Sequence, residues 1–304
     1  MKLIKTEDAV GHVLCHDMTQ IIKDQYKDAR FRKGHVVTEE DIPVLLSMGK
    51  EHLYVWEMTP GMVHENDAAE RLLALCGQEN MIRSGVKEGK IELKAACDGV
   101  FLVDSARLVA VNSQDEVMIA TRKGGTAVRE GDKLAGMRVI PLIIEEEKLR
   151  KAEQAAGDKP LLSLKPYVRK TACIVATGGE VKKGLIKDTF TPVVIDKLKT
   201  YGIETLEVVY SGDGVENVRD AVLAMREKKP DMILCTGGMS VDPDDNTPGG
   251  IKAAGANIIA YGAPVLPGAM FLLGYFDDGM PIMGLPGCVM YACATVFDLM
   301  LPKI

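Results

Sequence analysis

Cysteine pairs, late histidines, long apolar runs and excess positive charge are all missing from this 304-residue chain, and each absence removes a class of function. Seven cysteines are scattered at positions 15, 76, 97, 173, 235, 288 and 293, and none forms a CxxC pair. An odd, irregularly spaced set in a chain of this length argues against a disulfide framework and for reduced thiols, which places the expected location in the cytoplasm. All five histidines (His12, His16, His35, His52 and His64) precede residue 65, so Ser-His-Asp catalysis is excluded from the remainder. No stretch reaches the ~18 apolar residues of a spanning helix, and MKLIKTEDAV lacks the apolar core of a signal peptide. The formal net charge is -6, so no basic face is available for a broad nucleic-acid footprint. Neither a G-x-x-x-x-G-K-[ST] loop nor a G-x-G-x-x-G turn after a strand occurs; Gly212-Asp213-Gly214 begins the second pattern and Asn217 breaks it.

What is present reads as an ordinary globular protein, 47% hydrophobic and 26% charged, long enough for two domains at roughly 100–200 residues each. The clearest division falls in 145–170, where EEEKLRKAEQAAGDKP predicts a charged helix ending at Gly157 and LLSLKPYVRK predicts a connection. Beyond it, apolar runs alternate with amphipathic stretches. TACIVAT (171–177), IETLEVVY (203–210) and DMILCTGG (231–238) read as buried strands. TFTPVVIDKLKTYG (189–202), with Thr189 or Thr191 as N-cap, and GVENVRDAVLAMREKK (214–229) read as helices. A short helix from about Pro248 precedes the strand-like NIIAYGA, FLLGYF and PIMGLPG, and VMYACATVFDLMLPKI (289–304) predicts one apolar closing helix. Strands spaced by helices of this length imply βαβ units and a doubly wound, mostly parallel sheet, which takes ligands at the carboxyl ends of its strands. The glycines at 178–179, 212, 214 and 237–238 fall there.

Upstream, the expectation is a small α/β region over 1–80 with helices at 38–49 (Thr38 as cap, Gly49 as stop) and 66–77. A β-rich barrel or sandwich-like module follows over 81–145, built from KIELKAA, GVFLVD, RLVAVN, EVMIATR and MRVIPLII. A helix and linker (146–170) lead to the C-terminal domain (171–304). The fold class is thus α/β at the C-terminus, preceded by an α+β, β-rich N-terminal region. His12, Cys15 and His16 could join a metal site if a fourth ligand arrived, but a strand end explains them more simply. Arg122-Lys123-Gly124-Gly125 reads as a hairpin tip.

The segment with most chemical content runs from Thr236 to Pro248. Gly237 and Gly238 let backbone N–H groups approach a phosphate closely. Ser240 and Thr247 add hydroxyls, and a helix beginning near Pro248 presents its positive end. Asp242, Asp244 and Asp245 would repel a phosphate unless they held Mg²⁺ bridging to it, with Asp213 within reach of the same crevice. An acidic turn that only caps a helix is the alternative.

This segment resembles the T-G-G signature of the molybdopterin-binding domain of molybdenum cofactor biosynthesis proteins, and three further segments fall in the family's order. Ala176-Thr177-Gly178-Gly179-Glu180 is similar to its S-T-G-D-E turn, with Gly179 in place of Asp. Gly184-Leu185-Ile186-Lys187-Asp188-Thr189 is similar to its G-x-I-x-D segment, and Gly284-Leu285-Pro286-Gly287-Cys288-Val289 to its G-L-P-G-N-P turn. Ser211-Gly212-Asp213 occupies the place of its P-D-D turn. The resemblance implies a three-layer α/β sandwich and a dithiolene pterin phosphate as ligand, free or adenylylated. It makes Asp245, Asp213 and Asp188 the acidic catalytic positions, with Asp244, Asp245 and Asp213 as Mg²⁺ ligands. It assigns Thr177, Gly178, Glu180, Thr236, Gly237, Gly238, Ser240, Thr247, Pro248, Leu285, Pro286 and Gly287 to binding.

Met239-Ser240-Val241 and the long N-terminal extension resemble the branch that inserts molybdate and releases AMP. That branch's D-N-S-A-M-D-G-Y-A segment is missing, however. Its K-P-G-K turn reads Val265-Leu266-Pro267-Gly268-Ala269 without lysine, and Cys288 replaces an Asn. Loss of two cations beside an anion weakens its stabilisation, which leaves a non-catalytic carrier or sensor, acting on a molybdoenzyme or maturation partner, as an alternative. Asp244-Asp245-Asn246-Thr247 also resembles the competence-damage branch, which implies divalent-metal-dependent hydrolysis of a dinucleotide pyrophosphate. Relatives of dimeric or trimeric assembly make a homo-oligomer the expectation.

Overall fold

The computed structural model describes residues 2–22, 26–56, 60–240 and 246–304, and the chain divides into two compact units, 1–97 with 101–165 and 98–100 with 166–304. In the first unit an antiparallel sheet pairs Val117–Thr121, Lys133–Val139, Lys90–Ala95 and Met81–Arg83 in that order. Helices Glu65–Cys76 and Glu146–Ala156 bury Leu72, Leu73, Leu149 and Ala152 in a core shared with Ile91, Leu93, Ile119 and Met137. Nearer the N-terminus, Lys2–Lys5, His52–Trp56 and Val13–Leu14 form a three-stranded sheet, and helix Asp41–Ser47 contributes Leu45 to a separate small core.

The second unit holds a six-stranded sheet in the order Glu204–Ser211, Thr171–Thr177, Met232–Thr236, Pro281–Leu285, Leu272–Tyr275, Asn257–Tyr261. The first four strands run parallel and Leu272–Tyr275 is antiparallel to its neighbours. The strands' continuous apolar character has a direct cause, because both faces are covered. Ala172 and Ile174 point into a core with Val194, Leu198 and Phe297, while Cys173 and Val175 point the other way into one with Val218, Val222 and Ile251. In the inner strands period-2 alternation therefore distributes apolar side chains to two interiors, while the edge strands Glu204–Ser211 and Asn257–Tyr261 keep exposed residues. Helix Phe190–Lys199 serves the first face; Val215–Arg226 and Thr247–Ala253 serve the second. The three-layer α/β expectation holds.

Several local expectations are corrected. RLVAVN is helical, within Ser105–Asn112: Asp104 accepts from the Arg107 N–H as N-cap, and the β-branched composition yields to that cap. The connection expected at 161–170 contains strand Leu162–Pro166, with Leu162 and Leu164 buried. The closing helix is broken. A 3₁₀ turn spans Gly287–Met290, Tyr291 is exposed, and helix Val296–Met300 starts afresh on a capping box in which Thr295 and Asp298 exchange hydrogen bonds. At the two helices expected to be capped by threonine, an aspartate side chain accepts the hydrogen bonds, ahead of the first helix and as a cap on the second. Asp41 accepts from the N–H and hydroxyl of Thr38, and Asp188 accepts from the N–H groups of Phe190 and Thr191.

Candidate active site at the carboxyl edge of the second unit

Three strand ends converge where Thr171–Thr177, Met232–Thr236 and Pro281–Leu285 run parallel, with Ala176 opposite Thr236 and Thr236 opposite Leu285. Beyond Thr236 the chain turns through Gly237 (φ +84) and Gly238 (φ +57), a left-handed pair that favours glycine. Sterics demand the same residue. A Cβ on Gly237 would lie 2.5 Å from the Thr177 carbonyl oxygen, and one on Gly238 would lie 2.6 Å from Thr247 Oγ1.

Two threonines lock this turn from beneath. Thr177 Oγ1 donates to the Thr236 carbonyl at 2.8 Å, and Thr247 Oγ1 donates to the Gly237 carbonyl at 2.9 Å. The two hydroxyl oxygens lie 3.2 Å apart, but each proton is already committed to a carbonyl. Thr247 and Thr236 are almost completely buried. Thr247 thus directs its hydroxyl into the protein, and the groups left for a ligand are the main-chain N–H groups of Gly238, Met239 and Ser240, which donate to no described residue. Ser240 itself is exposed. Met239 is buried over Gly284, where an added Cβ would sit 2.5 Å from its methyl carbon, and its carbonyl accepts from the Tyr261 hydroxyl. Met239 and Tyr261 therefore hold the loop in place. No polar residue type advertised the Met239 role in the sequence.

On the other side, Gly178 (φ +140) donates its N–H to the Ser211 carbonyl and opens a helical turn, Gly179–Lys182. Asp213 Oδ2 accepts from the Gly179 N–H at 2.9 Å. A Cβ at position 179 would lie 2.7 Å from that same oxygen, so the carboxylate of Asp213 fills the space a side chain at 179 would need. This accounts physically for glycine at a position where Asp was expected. The Lys182 side chain lies across Gly212, with Nζ 3.9 Å from the position of a Cβ there, and no described carboxylate pairs with it. Lys182, Lys183 and Lys187 are exposed and bring positive charge to this edge; sequence reading sought cations at 265–269 and missed them here. Glu180 is exposed on the same turn.

Asp188 stands apart from this cluster. Its Oδ1 caps helix Phe190–Lys199 and its Oδ2 accepts from the Tyr210 hydroxyl at 3.2 Å. Burial pushes its carboxyl up, and hydrogen bonds from Thr191, Phe190 and Tyr210 outweigh that and hold it below its ordinary value. Leu285 and Pro286 are buried at the end of their strand and Gly287 is exposed. Pro248 lies in the first turn of helix Thr247–Ala253. Asp244 and Asp245 lie outside the described residues, as do Asp242 and Val241. Among the described residues no group of three His, Cys, Asp or Glu side chains could hold a metal ion, and His12, Cys15 and His16 do not assemble one.

Comparison with known proteins gives a match for this half of the chain. The family model described as a probable molybdopterin binding domain matches residues 173–304. A second model, described only as a domain of unknown function, matches residues 3–57. Among curated proteins, a CinA-like protein of Mycobacterium tuberculosis is 33% identical over 76 residues, 25% of this chain and 18% of that protein. A CinA-like protein of Petrotoga mobilis is 32% identical over the same length, covering 19% of itself. The chain therefore spans a small part of these relatives. Among solved structures, the protein CinA from Thermoplasma acidophilum aligns with 44% of this chain and 98% of its own (17% identity, TM-score 0.39). The molybdopterin biosynthesis enzyme MoaB from Thermus thermophilus aligns with 44% and 91% (18% identity, TM-score 0.38). In the matched region the glycine turn at 237–238, the Gly178 turn and Asp213 occupy one edge, and Asp188 belongs to the neighbouring helix start.

Proposed function

We propose that the second unit binds molybdopterin, free or adenylylated, and that the chain serves molybdenum cofactor biosynthesis by supporting molybdate insertion with cleavage of the phosphoanhydride. The observation that carries this reading is the turn at Gly237-Gly238, whose neighbouring N–H groups donate to no described residue and whose shape leaves no room for a Cβ. A terminal phosphate fits such a cradle because fixed N–H dipoles stabilise an anion without reorganising. Lys182 would supply a mobile charge at the rim, Ser240 a hydroxyl donor, and Leu285-Pro286-Gly287 the flank for the pterin. Asp213 orients the Gly178–Lys182 turn through Gly179. A divalent ion would shield phosphoanhydride charge when bound. Of its expected ligands Asp213, Asp244 and Asp245, only Asp213 is described, and its Oδ2 is engaged. No step is therefore routed through Mg²⁺, and the assignment of Asp245 stands as a proposal: Asp245→Ala should abolish turnover while the fold is kept.

Calorimetric titration with molybdopterin and with its adenylylated form, with molybdate and Mg²⁺ present or absent, tests the reading. Tight binding with molybdate-dependent AMP release supports insertion. Tight binding without AMP release makes the chain a carrier or sensor that hands the pterin to a molybdoenzyme or maturation partner. Absence of binding refutes the pterin reading. A second reading, divalent-metal-dependent hydrolysis of a dinucleotide pyrophosphate, is favoured by the sequence match to the CinA-like proteins. Cleavage of ADP-ribose by the purified chain, lost in Asp245→Ala, would establish it.

A further inference from the structure

The first unit contains a pocket that the pterin reading does not use. Its centre is Glu65, in the segment His64-Glu65-Asn66 at the start of helix Glu65–Cys76. The Glu65 side chain is only 8% exposed, and no described residue forms a hydrogen bond with its carboxyl. Its neighbours in sequence fix it there. His64 Nε2 faces the Gly34 carbonyl at 2.9 Å and Nδ1 accepts from the Asn66 N–H at 3.2 Å, an arrangement that requires the neutral ring with its proton on Nε2. Asn66 Oδ1 accepts from the Gly89 N–H at 3.1 Å.

The two loops held in this way carry glycines at positive φ, Gly34 (+90) and Gly89 (+66). A Cβ on Gly34 would lie 3.0 Å from one Glu65 oxygen, and one on Gly89 would lie 2.6 Å from the other. The backbone has therefore been shaped around this carboxyl. Glu65 opens into a cavity of about 300 Å³ that is also lined by Asp17, Arg32, Lys33, Glu88 and Arg138.

The charges around that cavity are unequally engaged. Arg32 pairs with Glu88 at 3.3 Å, and Asp17 Oδ1 accepts from the Lys33 main-chain N–H at 2.7 Å. The Lys33 ammonium has no described partner. Arg138 approaches Glu65 only to 4.0 Å, and its Nε donates to the Val139 carbonyl. Lys33 and Arg138 thus retain donors that aim at one space. Burial pushes the Glu65 carboxyl up, with the push of Glu88 and against the pull of Arg138 and Lys33. In its neutral form Glu65 adds a third donor to the same space.

We propose that this pocket binds a small tetrahedral oxyanion between Lys33 and Arg138, with the carboxyl of Glu65 completing the site. Charge-assisted bonds from ammonium and guanidinium supply the attraction, and an O–H from Glu65 removes the repulsion a carboxylate would exert. Binding is then accompanied by uptake of a proton. The site lies wholly within the first unit and does not depend on the pterin assignment.

Titration calorimetry of the full chain with inorganic phosphate, sulfate and molybdate near pH 7, in two buffers of different ionisation enthalpy, tests this. Saturable binding of at least one of the three is expected, and the ranking identifies the oxyanion. The heat should differ between the buffers, which reports the proton. Lys33→Ala, a change at an exposed side chain, should weaken binding at least tenfold. Lys199→Ala, which removes an exposed cation from the other unit, should not. Glu65→Gln should keep binding and abolish the buffer dependence, since the amide donates without a proton exchange. The proposal is overturned by the absence of saturable binding for all three anions, by equal affinity in Lys33→Ala, or by binding that carries no proton uptake in the parent chain.

Discussion

Replacing Gly238 by alanine probes the cradle most directly. The substitution forces a Cβ into the left-handed region, which costs about 1–2 kcal/mol, and sets it 2.6 Å from Thr247 Oγ1. Thr247 is buried and cannot retreat without giving up its bond to the Gly237 carbonyl. A lost hydrogen bond that leaves a buried acceptor unsatisfied adds roughly 1–3 kcal/mol. Gly255 provides the matched control: its φ is +92 and an added Cβ there meets nothing within 4 Å, so Gly255→Ala carries the backbone cost alone. The difference between the two variants should be about 1–3 kcal/mol, or roughly 5- to 150-fold in an opening equilibrium. The single tryptophan, Trp56, lies in the first unit, so fluorescence is a poor reporter. Hydrogen exchange on peptides covering 232–236 and 247–253 reads the locus itself. Equal loss of protection in the two variants would refute the claim that Thr247 and Gly238 are sterically matched.

Further expectations follow from other parts of the chain. Asp231 Oδ2 accepts from the N–H groups of Lys170 and Thr171 and from the Thr171 hydroxyl; burial raises its carboxyl and these bonds outweigh that, holding it below the ordinary range. The stability it contributes is therefore full above the unfolded carboxylate value near 3.9 and is lost as pH falls through the lower folded value. In urea unfolding, the gap between parent and Asp231→Asn should be constant from about pH 5 to 7 and shrink below about pH 4. Cys235, fully buried with its thiol pushed up to about 12 by desolvation, should resist iodoacetamide in the native chain at pH 8, whereas exposed Cys293 should alkylate; peptide mass spectrometry distinguishes them. Thr295→Ala should cost about 0.5–2 kcal/mol in chemical denaturation by opening the capping box at the last helix.

The sequence by itself determined the architecture of the second unit, because there local and global signals agree. Apolar runs of strand length, amphipathic helices between them and glycines at the strand ends admit few arrangements, and a sheet covered on both faces is the one that buries Ile174 and Val175 at once. The place of the candidate site was legible for the same reason. Tertiary structure alone decided which groups the site presents. Thr247 and Ser240 carry the same hydroxyl, yet one is locked inward and the other exposed. Gly179 read as a departure from the expected Asp until Asp213, distant in sequence, was found occupying the space. In the first unit the period was ambiguous. RLVAVN has strand composition, but a cap from Asp104 makes it helical, and Leu162–Pro166 looked like a linker because two prolines flank a run whose leucines are buried only by partners far along the chain. Glu65 left no signal at all. One glutamate opening a helix is commonplace in sequence, and only the meeting of Gly34, Gly89 and Arg138 around it turns it into a buried carboxyl facing a cavity.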